Sequence, residues 1–211
     1  MKVDIKGVIV PNDEGWIYDL FRIEHVTPAK VEKAIAEAAG EQLDIDINSG
    51  GGDVFSGSEI YSAIRAYKGP VQIHVVGIAA SAASVIACAG KSDITPTGQM
   101  MVHNVSSYSA GDYHDMDKAS EILKQANRAI AAAYVEKTGM SEKDALELMD
   151  HETWLVAQDA VDYGLIDSIA TYQNTNDETA RLVASAGGML PYSVIENMQK
   201  KKQTLINYFS D

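Results

Sequence analysis

The segment 77–84, Gly-Ile-Ala-Ala-Ser-Ala-Ala-Ser, contains a residue that could act as a nucleophile. Ser81 follows an apolar run and precedes a stretch of small residues typical of a helix. A serine that opens a helix has backbone N–H donors and the positive end of the helix dipole beside its oxygen. The G-x-S-x-G signature of many hydrolases is absent. Close helix packing is the alternative interpretation, and Ser84 is a rival nucleophile.

A second segment, Asn-Ser-Gly-Gly-Gly at positions 48–52, is suited to contact a ligand through its backbone. Glycines permit unusual backbone angles and close approach, so their N–H groups could hold an oxyanion. A phosphate loop would end in Gly-Lys-Ser or Gly-Lys-Thr, whereas this segment continues into Asp53, which repels phosphate. We expect no ATP hydrolysis by this chain through such a loop. A plain turn remains the alternative.

Five histidines and one cysteine are the other candidates for chemistry. His103 ends the short apolar run 100–103, and any single histidine can equally be structural. No histidine pair has metal-ligand spacing with a supporting carboxylate helix, so we expect no metal and no cofactor. Cys88 lies in an apolar helical stretch, which favours a core position. A single cysteine excludes an intramolecular disulfide framework and fits a reducing, cytoplasmic setting.

Composition excludes several classes of function. The net charge of −13 disfavours nucleic acid and anionic lipid as partners. The basic run 200–202 is interpreted as a solvated helix face. No segment approaches the ~20 consecutive apolar residues of a membrane span, and no signal-peptide run opens the chain, so we expect a soluble protein.

Hydrophobic periodicity predicts strands that alternate with helices along residues 1–171. Predicted strands cover 3–10, 16–21, 43–48 and 71–76, and predicted helices cover 29–39, 54–67, 112–137, 142–149 and 157–163. Residues 77–89 are predicted to form a turn followed by a helix. Repeated strand–turn–helix units imply an α/β fold with a mostly parallel sheet, and ligands bind beyond the carboxyl ends of its strands. The polar stretch 171–178 marks a boundary, so residues 172–211 are predicted to be a C-terminal helical extension.

Four segments, in one order and at comparable spacing, resemble the ClpP-type serine peptidases. Positions 47–52 resemble the family's I-N-S-P-G-G turn with Gly50 in place of proline, and 77–82 resemble its G-x-A-A-S-M segment with Ala82 in place of methionine. Residues 101–104, Met-Val-His-Asn, resemble its M-I-H-Q segment. Residues 152–155 and 160–167 resemble its aspartate-containing segment and its E-A-x-x-Y-G-L-I-D ending. The resemblance spans residues 16–169.

The resemblance implies a serine endopeptidase with Ser81 as nucleophile and His103 as general base. The third triad member falls on Glu152, where the family has aspartate, and Asp150 is the alternative. The oxyanion hole would be formed by the N–H groups of Gly51 and Ala82. Replacement of the family's methionine by Ala82 keeps the donor, because the donor is a backbone N–H.

The resemblance also implies the fold and the partners. It predicts a crotonase-like ββα spiral (ClpP-like), with helix 112–137 as a long protruding helix that interlocks rings. A peptide or protein substrate would bind as an added strand, and the chain would assemble into homo-oligomeric rings. The glycine turn, residues 152–154 and the C-terminal extension resemble the phage and prophage subgroup that matures procapsids, which would make a capsid or scaffold protein the substrate.

Two other classes of function fit the same fold. Acyl-CoA hydratases and isomerases also use two backbone N–H groups as an oxyanion hole, but need no serine–histidine pair. A catalytically inactive scaffold would keep the fold and assemble without reacting at Ser81. Reactivity of the serine distinguishes the peptidase from both.

Overall fold

The computed structural model describes residues 1–171, which form eight strands and seven helices. The strands are β1 (Lys2–Ile9), β2 (His25–Val26), β3 (Leu43–Gly52), β4 (Val71–Ala80), β5 (Lys91–Ile94), β6 (Gln99–Val102), β7 (Thr153–Val156) and β8 (Ser168–Ile169). The helices are α1 (Gly15–Phe21), α2 (Pro28–Ala38), α3 (Val54–Ala66), α4 (Ala82–Ala87), α5 (Tyr113–Thr138), α6 (Glu142–Asp150) and α7 (Ala157–Asp162). The predicted C-terminal helical extension, 172–211, lies outside the described residues.

One eight-stranded sheet organises this part of the chain, with the order β2-β1-β3-β4-β5-β8. All neighbours along that order are parallel, while β6 joins β4 in parallel and β7 pairs with β6 antiparallel. Parallel strands need crossover connections, and the helices supply them. These observations confirm the predicted α/β class with a mostly parallel sheet.

The core follows from the alternation of the central strands. Leu43, Ile45 and Ile47 of β3 are fully buried, while the intervening aspartates are only partly covered. These residues belong to one buried cluster with apolar side chains from α2, α3 and α4. Full burial of an aliphatic side chain of this size contributes about 1.5–3 kcal/mol. The core thereby fixes the central strands whose ends carry the site.

Strand β4 changes partner along its length. Its first half, Gln72–Val75, pairs with β5, and its last residues, Ile78–Ala80, pair with β6. Gly77 lies at the change, and an added Cβ there would lie 2.3 Å from Asn48 Oδ1, so no larger residue fits without a shift. The branch brings the end of β6 beside the end of β4.

Polar side chains cap the starts of several helices. Thr27 caps α2 with Pro28 in its first turn, and Ser141 caps α6 by accepting from Asp144 N–H. Asp53 caps α3 by accepting bonds from both the N–H and the hydroxyl of Ser56. Asp53, whose negative charge disfavours a phosphate loop, is therefore the N-cap of helix α3.

Two predictions about local structure were wrong. The stretch 16–21 is helix α1, not a strand, and Arg22 ends it in the left-handed region. The glycine segments at 50–52 and 77–80 are strand, not turns, because β3 and β4 run through them with shifts of register. Glycine inside a strand often marks such a bulge or a close backbone approach.

Helix α5 is the longest element of the described chain. Its buried residues, Ala131, Ala133 and Tyr134, all lie in its C-terminal third, where it packs against α4 and α6. A capping box formed by Asp112 and Asp115 begins the helix. Within residues 1–171 no helix is both long and apolar enough to cross a membrane.

Candidate active site

Ser81 lies between β4 and α4 in a strained backbone conformation. Its φ of 55° and ψ of −126° are unusual for a residue with a side chain, and such conformations cost on the order of 1–3 kcal/mol. Its N–H donates to the carbonyl of Met101 on β6 at 2.9 Å. The bond to β6 fixes the position of Ser81 relative to that strand.

His103 follows β6 directly and reaches the serine. Its Nε2 lies 2.8 Å from Ser81 Oγ, although 22 residues separate the two in sequence. Met101 lies two residues before His103, so the backbone bond from Ser81 to Met101 sets the register that brings the imidazole into place. This distance is within the range over which a general base takes a proton.

Neither predicted acid contacts the imidazole. Asp150 Oδ1 accepts a bond of 2.8 Å from Asn104 Nδ2, in the residue after His103. Glu152 has a left-handed φ of 46°, and its carboxylate accepts from the indole of Trp154 at 3.4 Å. Within the described residues, Ser81 is the hydrogen-bond partner found for the His103 side chain. The structure therefore brings serine and histidine together and leaves the acid unassigned.

The glycine segment lies directly against the serine, but Gly51 does not offer a free donor. Gly51 N–H donates to Ser49 Oγ at 3.1 Å, and that hydroxyl donates to Gly7 O at 2.6 Å. The next N–H but one, that of Asp53, donates to Ile9 O on β1. The intervening residue, Gly52, lines the cavity together with Ser81 and His103. This geometry favours Gly52 over the predicted Gly51 as an oxyanion donor.

A small apolar cavity opens beside the serine and histidine. Its volume is about 80 Å³, and it lies between the start of α4 and the C-terminal part of α5. The lining residues are Gly52, Val54, Ser81, Ala82, Val85, His103, Val105, Ser106, Ile130 and Tyr134.

The rival nucleophiles are buried. Ser84 is fully buried, and its hydroxyl contacts the Ser81 carbonyl oxygen and the Tyr134 hydroxyl. Cys88 is buried as well, and loss of hydration raises the pKa of its thiol to about 12. A protonated, buried thiol is a poor nucleophile. The Ser84–Tyr134 contact is a feature that the sequence pattern did not indicate.

The remaining histidines do not join this site. His74, for example, bonds the Asp93 carboxylate on the neighbouring strand. Within residues 1–171 no three His, Cys, Asp or Glu side chains are grouped so that they could hold a metal ion. The functional groups that the structure brings together at this site are the Ser81 hydroxyl and the His103 imidazole.

This fold and this site are typical of an α/β serine hydrolase. Comparison with known proteins gives the family: the Clp protease family model matches residues 29–173. The chain is 37% identical over 136 residues to the ATP-dependent Clp protease proteolytic subunit 1 of Chlamydia abortus, covering 62% of this chain and 70% of that protein. It is 34% identical over 163 residues to the protein of the same name from Chlamydia muridarum, covering 71% and 84%.

The chain belongs to the Clp protease family, and the match supports a serine peptidase. This confirms the resemblance at the level of the family. The narrower resemblance, to the phage and prophage subgroup, is not shown by these relatives.

Proposed function

We propose that this protein is a serine endopeptidase in which Ser81 is the nucleophile and His103 the general base. The observation that carries the proposal is the 2.8 Å contact between Ser81 Oγ and His103 Nε2 at a strained strand–helix junction. His103 Nε2 takes the hydroxyl proton while Oγ bonds to the peptide carbonyl carbon. The imidazolium then protonates the leaving amine, and water cleaves the acyl-enzyme by the same route.

The tetrahedral oxyanion is held by backbone N–H groups in this proposal. Ala82 N–H is one donor, as the resemblance implies, and Gly52 takes the place of Gly51. The reason for the change is that Gly51 N–H already bonds Ser49 Oγ. Loss of one such donor typically lowers the rate on the order of 100-fold or more.

The acid is proposed to be Glu152, with Asp150 as the alternative. In the structure Asp150 is engaged with Asn104, which leaves Glu152 the freer carboxylate. Its role would be to hold the imidazole tautomer and stabilise the imidazolium. The role requires the Glu152 side chain to move from Trp154 toward His103.

The substrate is proposed to be a protein segment that binds in extended form, with an apolar side chain in the cavity beside Ser81. The aliphatic side chains in that lining, among them Val54, Val85 and Ile130, support an apolar preference at this position. We further propose assembly into homo-oligomeric rings, a crotonase-like spiral, and α5 as the protruding helix between rings. The largely exposed first two thirds of α5 support the last point.

Processing of capsid or scaffold proteins of a phage is the narrowest part of the proposal, and it depends on the sequence resemblance alone. Incubation of the purified assembly with a cognate scaffold protein, followed by mass spectrometry of the fragments, tests it. Cleavage that Ser81→Ala abolishes supports this role. An intact scaffold beside a cleaved general protein substrate would contradict it.

The central test is labelling with a fluorophosphonate, which reacts with activated serines, with the adduct mapped by mass spectrometry. We expect an adduct on Ser81 in the wild type and none in Ser81→Ala. Ser62→Ala is the matched control, because Ser62 is an exposed serine of α3 remote from the cavity, and it should label normally. An assembled wild type without adduct would instead favour an inactive scaffold, an outcome consistent with the absence of a His103–acid contact among the described residues. Binding of an acyl-CoA by such an unreactive protein would identify a hydratase or isomerase.

A further inference from the structure

Two buried hydroxyl groups behind the nucleophile have no part in the proposed proton transfers. Ser84 of α4 is 0% exposed and Tyr134 of α5 is 2% exposed. Burial raises the pKa of Tyr134 well above its usual value, so the phenol stays protonated and can donate. Their oxygens lie 2.7 Å apart. Burying a polar group costs free energy unless it is hydrogen-bonded, and these two hydroxyl groups satisfy each other. The question is why this part of the core contains two hydroxyl groups at all.

The direction of the bonds follows from what each group can do. Ser84 Oγ lies 2.6 Å from the Ser81 carbonyl oxygen, which can only accept, so Ser84 donates its proton there. The Tyr134 hydroxyl must then donate to Ser84 Oγ. The same Ser81 carbonyl also accepts from Ser84 N–H at 2.9 Å. A directed chain therefore runs from Tyr134 through Ser84 to the Ser81 carbonyl.

The Ser81 carbonyl belongs to the same peptide unit as the Ala82 N–H. A peptide unit is planar, and in the trans form its C=O and N–H point in opposite directions. None of the described peptide bonds is cis. Two donors that hold the carbonyl therefore also fix the opposite direction of the Ala82 N–H, and Ala82 lines the cavity beside Ser81 and His103. The unusual φ and ψ of Ser81 make this restraint necessary.

We propose that Ser84 and Tyr134 are positioning residues that fix the Ser81–Ala82 peptide plane and so aim an oxyanion donor at the reacting carbonyl. The inference rests on the proposed function, because it assigns Ala82 N–H that role. It links α5, which forms one wall of the cavity, to the oxyanion hole. It also explains why a serine three residues after the nucleophile need not be a nucleophile itself.

The test compares Tyr134→Phe and Ser84→Ala with the wild type in hydrolysis of a peptide substrate and in inhibition by a peptide aldehyde. Phenylalanine keeps the ring that lines the cavity and removes only the donor. We expect kcat to fall about 10-fold in each variant, the worth of one buried hydrogen bond, with KM changed less than about twofold. The aldehyde should bind about 10-fold more weakly, because its adduct with Ser81 carries an oxyanion.

The double variant should lose no more than the larger single loss, because both residues act in one chain. Tyr61→Phe is the matched control: Tyr61 bonds Glu136 of the same helix α5, away from the cavity, and its loss should leave kcat and aldehyde affinity unchanged. If Ser84→Ala does not fold, Tyr134→Phe alone still decides. Unfolding midpoints of all variants are measured in parallel.

Unchanged kcat and aldehyde affinity in Tyr134→Phe and Ser84→Ala would overturn the inference, while fluorophosphonate labelling of wild-type Ser81 would keep the proposed function. A lower unfolding midpoint with unchanged kcat would also overturn it, since that is the result of a purely structural role. A wild type that neither labels nor hydrolyses peptide would overturn both.

Discussion

Replacement of Gly51 by alanine should lower the reactivity of Ser81, although it adds only one methyl group and removes no functional group. Gly51 has a φ of +95°, and an added Cβ would lie 2.6 Å from Ser81 Cβ, 2.7 Å from Ala80 O and 3.0 Å from Ala82 N. The left-handed backbone costs an L-residue about 1–2 kcal/mol, and overpacking adds about 1–3 kcal/mol. We therefore expect the free energy of unfolding to fall by about 2–5 kcal/mol. Relief of the clash must displace residue 51 itself or the backbone from Ala80 to Ala82, which carries Ser81.

The matched control is Gly50→Ala, one residue earlier. An added Cβ at Gly50 meets no atom within 4 Å, and its φ lies outside the left-handed region. This variant should be unchanged or more stable by about 0.4–1 kcal/mol, because alanine restricts the unfolded chain. Urea unfolding measures both variants, and fluorophosphonate labelling reports the site. Labelling of Gly51→Ala at the wild-type rate would refute the reasoning, because it would mean that the close approach does not position Ser81.

Three further outcomes follow from contacts already described. Glu152→Gln should lower kcat about 10-fold or more, while Asp150→Asn should mainly lower stability; a large loss of kcat in only the second would contradict the assignment of the acid. Cys88 should resist alkylation by iodoacetamide at pH 8 and react only after denaturation, as mass measurement shows, and rapid native labelling would disprove its burial. Although desolvation opposes it, bonds from Lys137 and a serine hold the pKa of Asp167 below its ordinary 3.8. The advantage of wild type over Asp167→Asn in urea unfolding should therefore be full at neutral pH and disappear as the pH falls through that lowered pKa. An advantage that does not shrink as the pH is lowered below 3.8 would contradict this account.

The strands with alternating apolar residues could be predicted from the sequence, because burial of one face of a strand requires an apolar residue at every second position. Leu43, Ile45 and Ile47 alternate since only one face of β3 is buried. Helix α1 gave no such signal. Most of its residues are exposed, so no apolar stripe formed, and the aromatic and β-branched residues between Trp16 and Phe21 suggested a strand instead.

The site was partly predictable for a similar reason. Ser81 and His103 follow from motifs whose spacing is preserved, and the structure places their side chains in contact. The oxyanion donor depends on which way each N–H of β3 points. This direction is set by two shifts of register, one after Lys6 in β1 and one after Ile47 in β3. A bulge of this kind cannot be located from residue types alone. The pairing of Ser84 with Tyr134 spans 50 residues, so no local pattern indicates it.

The branch in β4 makes one connection of this protein unusually tolerant of change. The link between β5 and β6, residues 95–98, joins two strands that are each held separately by β4. Its two central residues, Pro96 and Thr97, are exposed, and lengthening the chain at an exposed turn costs little, about 0.6 kcal/mol for each doubling of its length. Deleting one residue within β6 would instead shift His103 by about 3.3 Å along the strand. New residues can therefore be inserted between Pro96 and Thr97 without disturbing the serine–histidine pair, although His103 is only a few residues away.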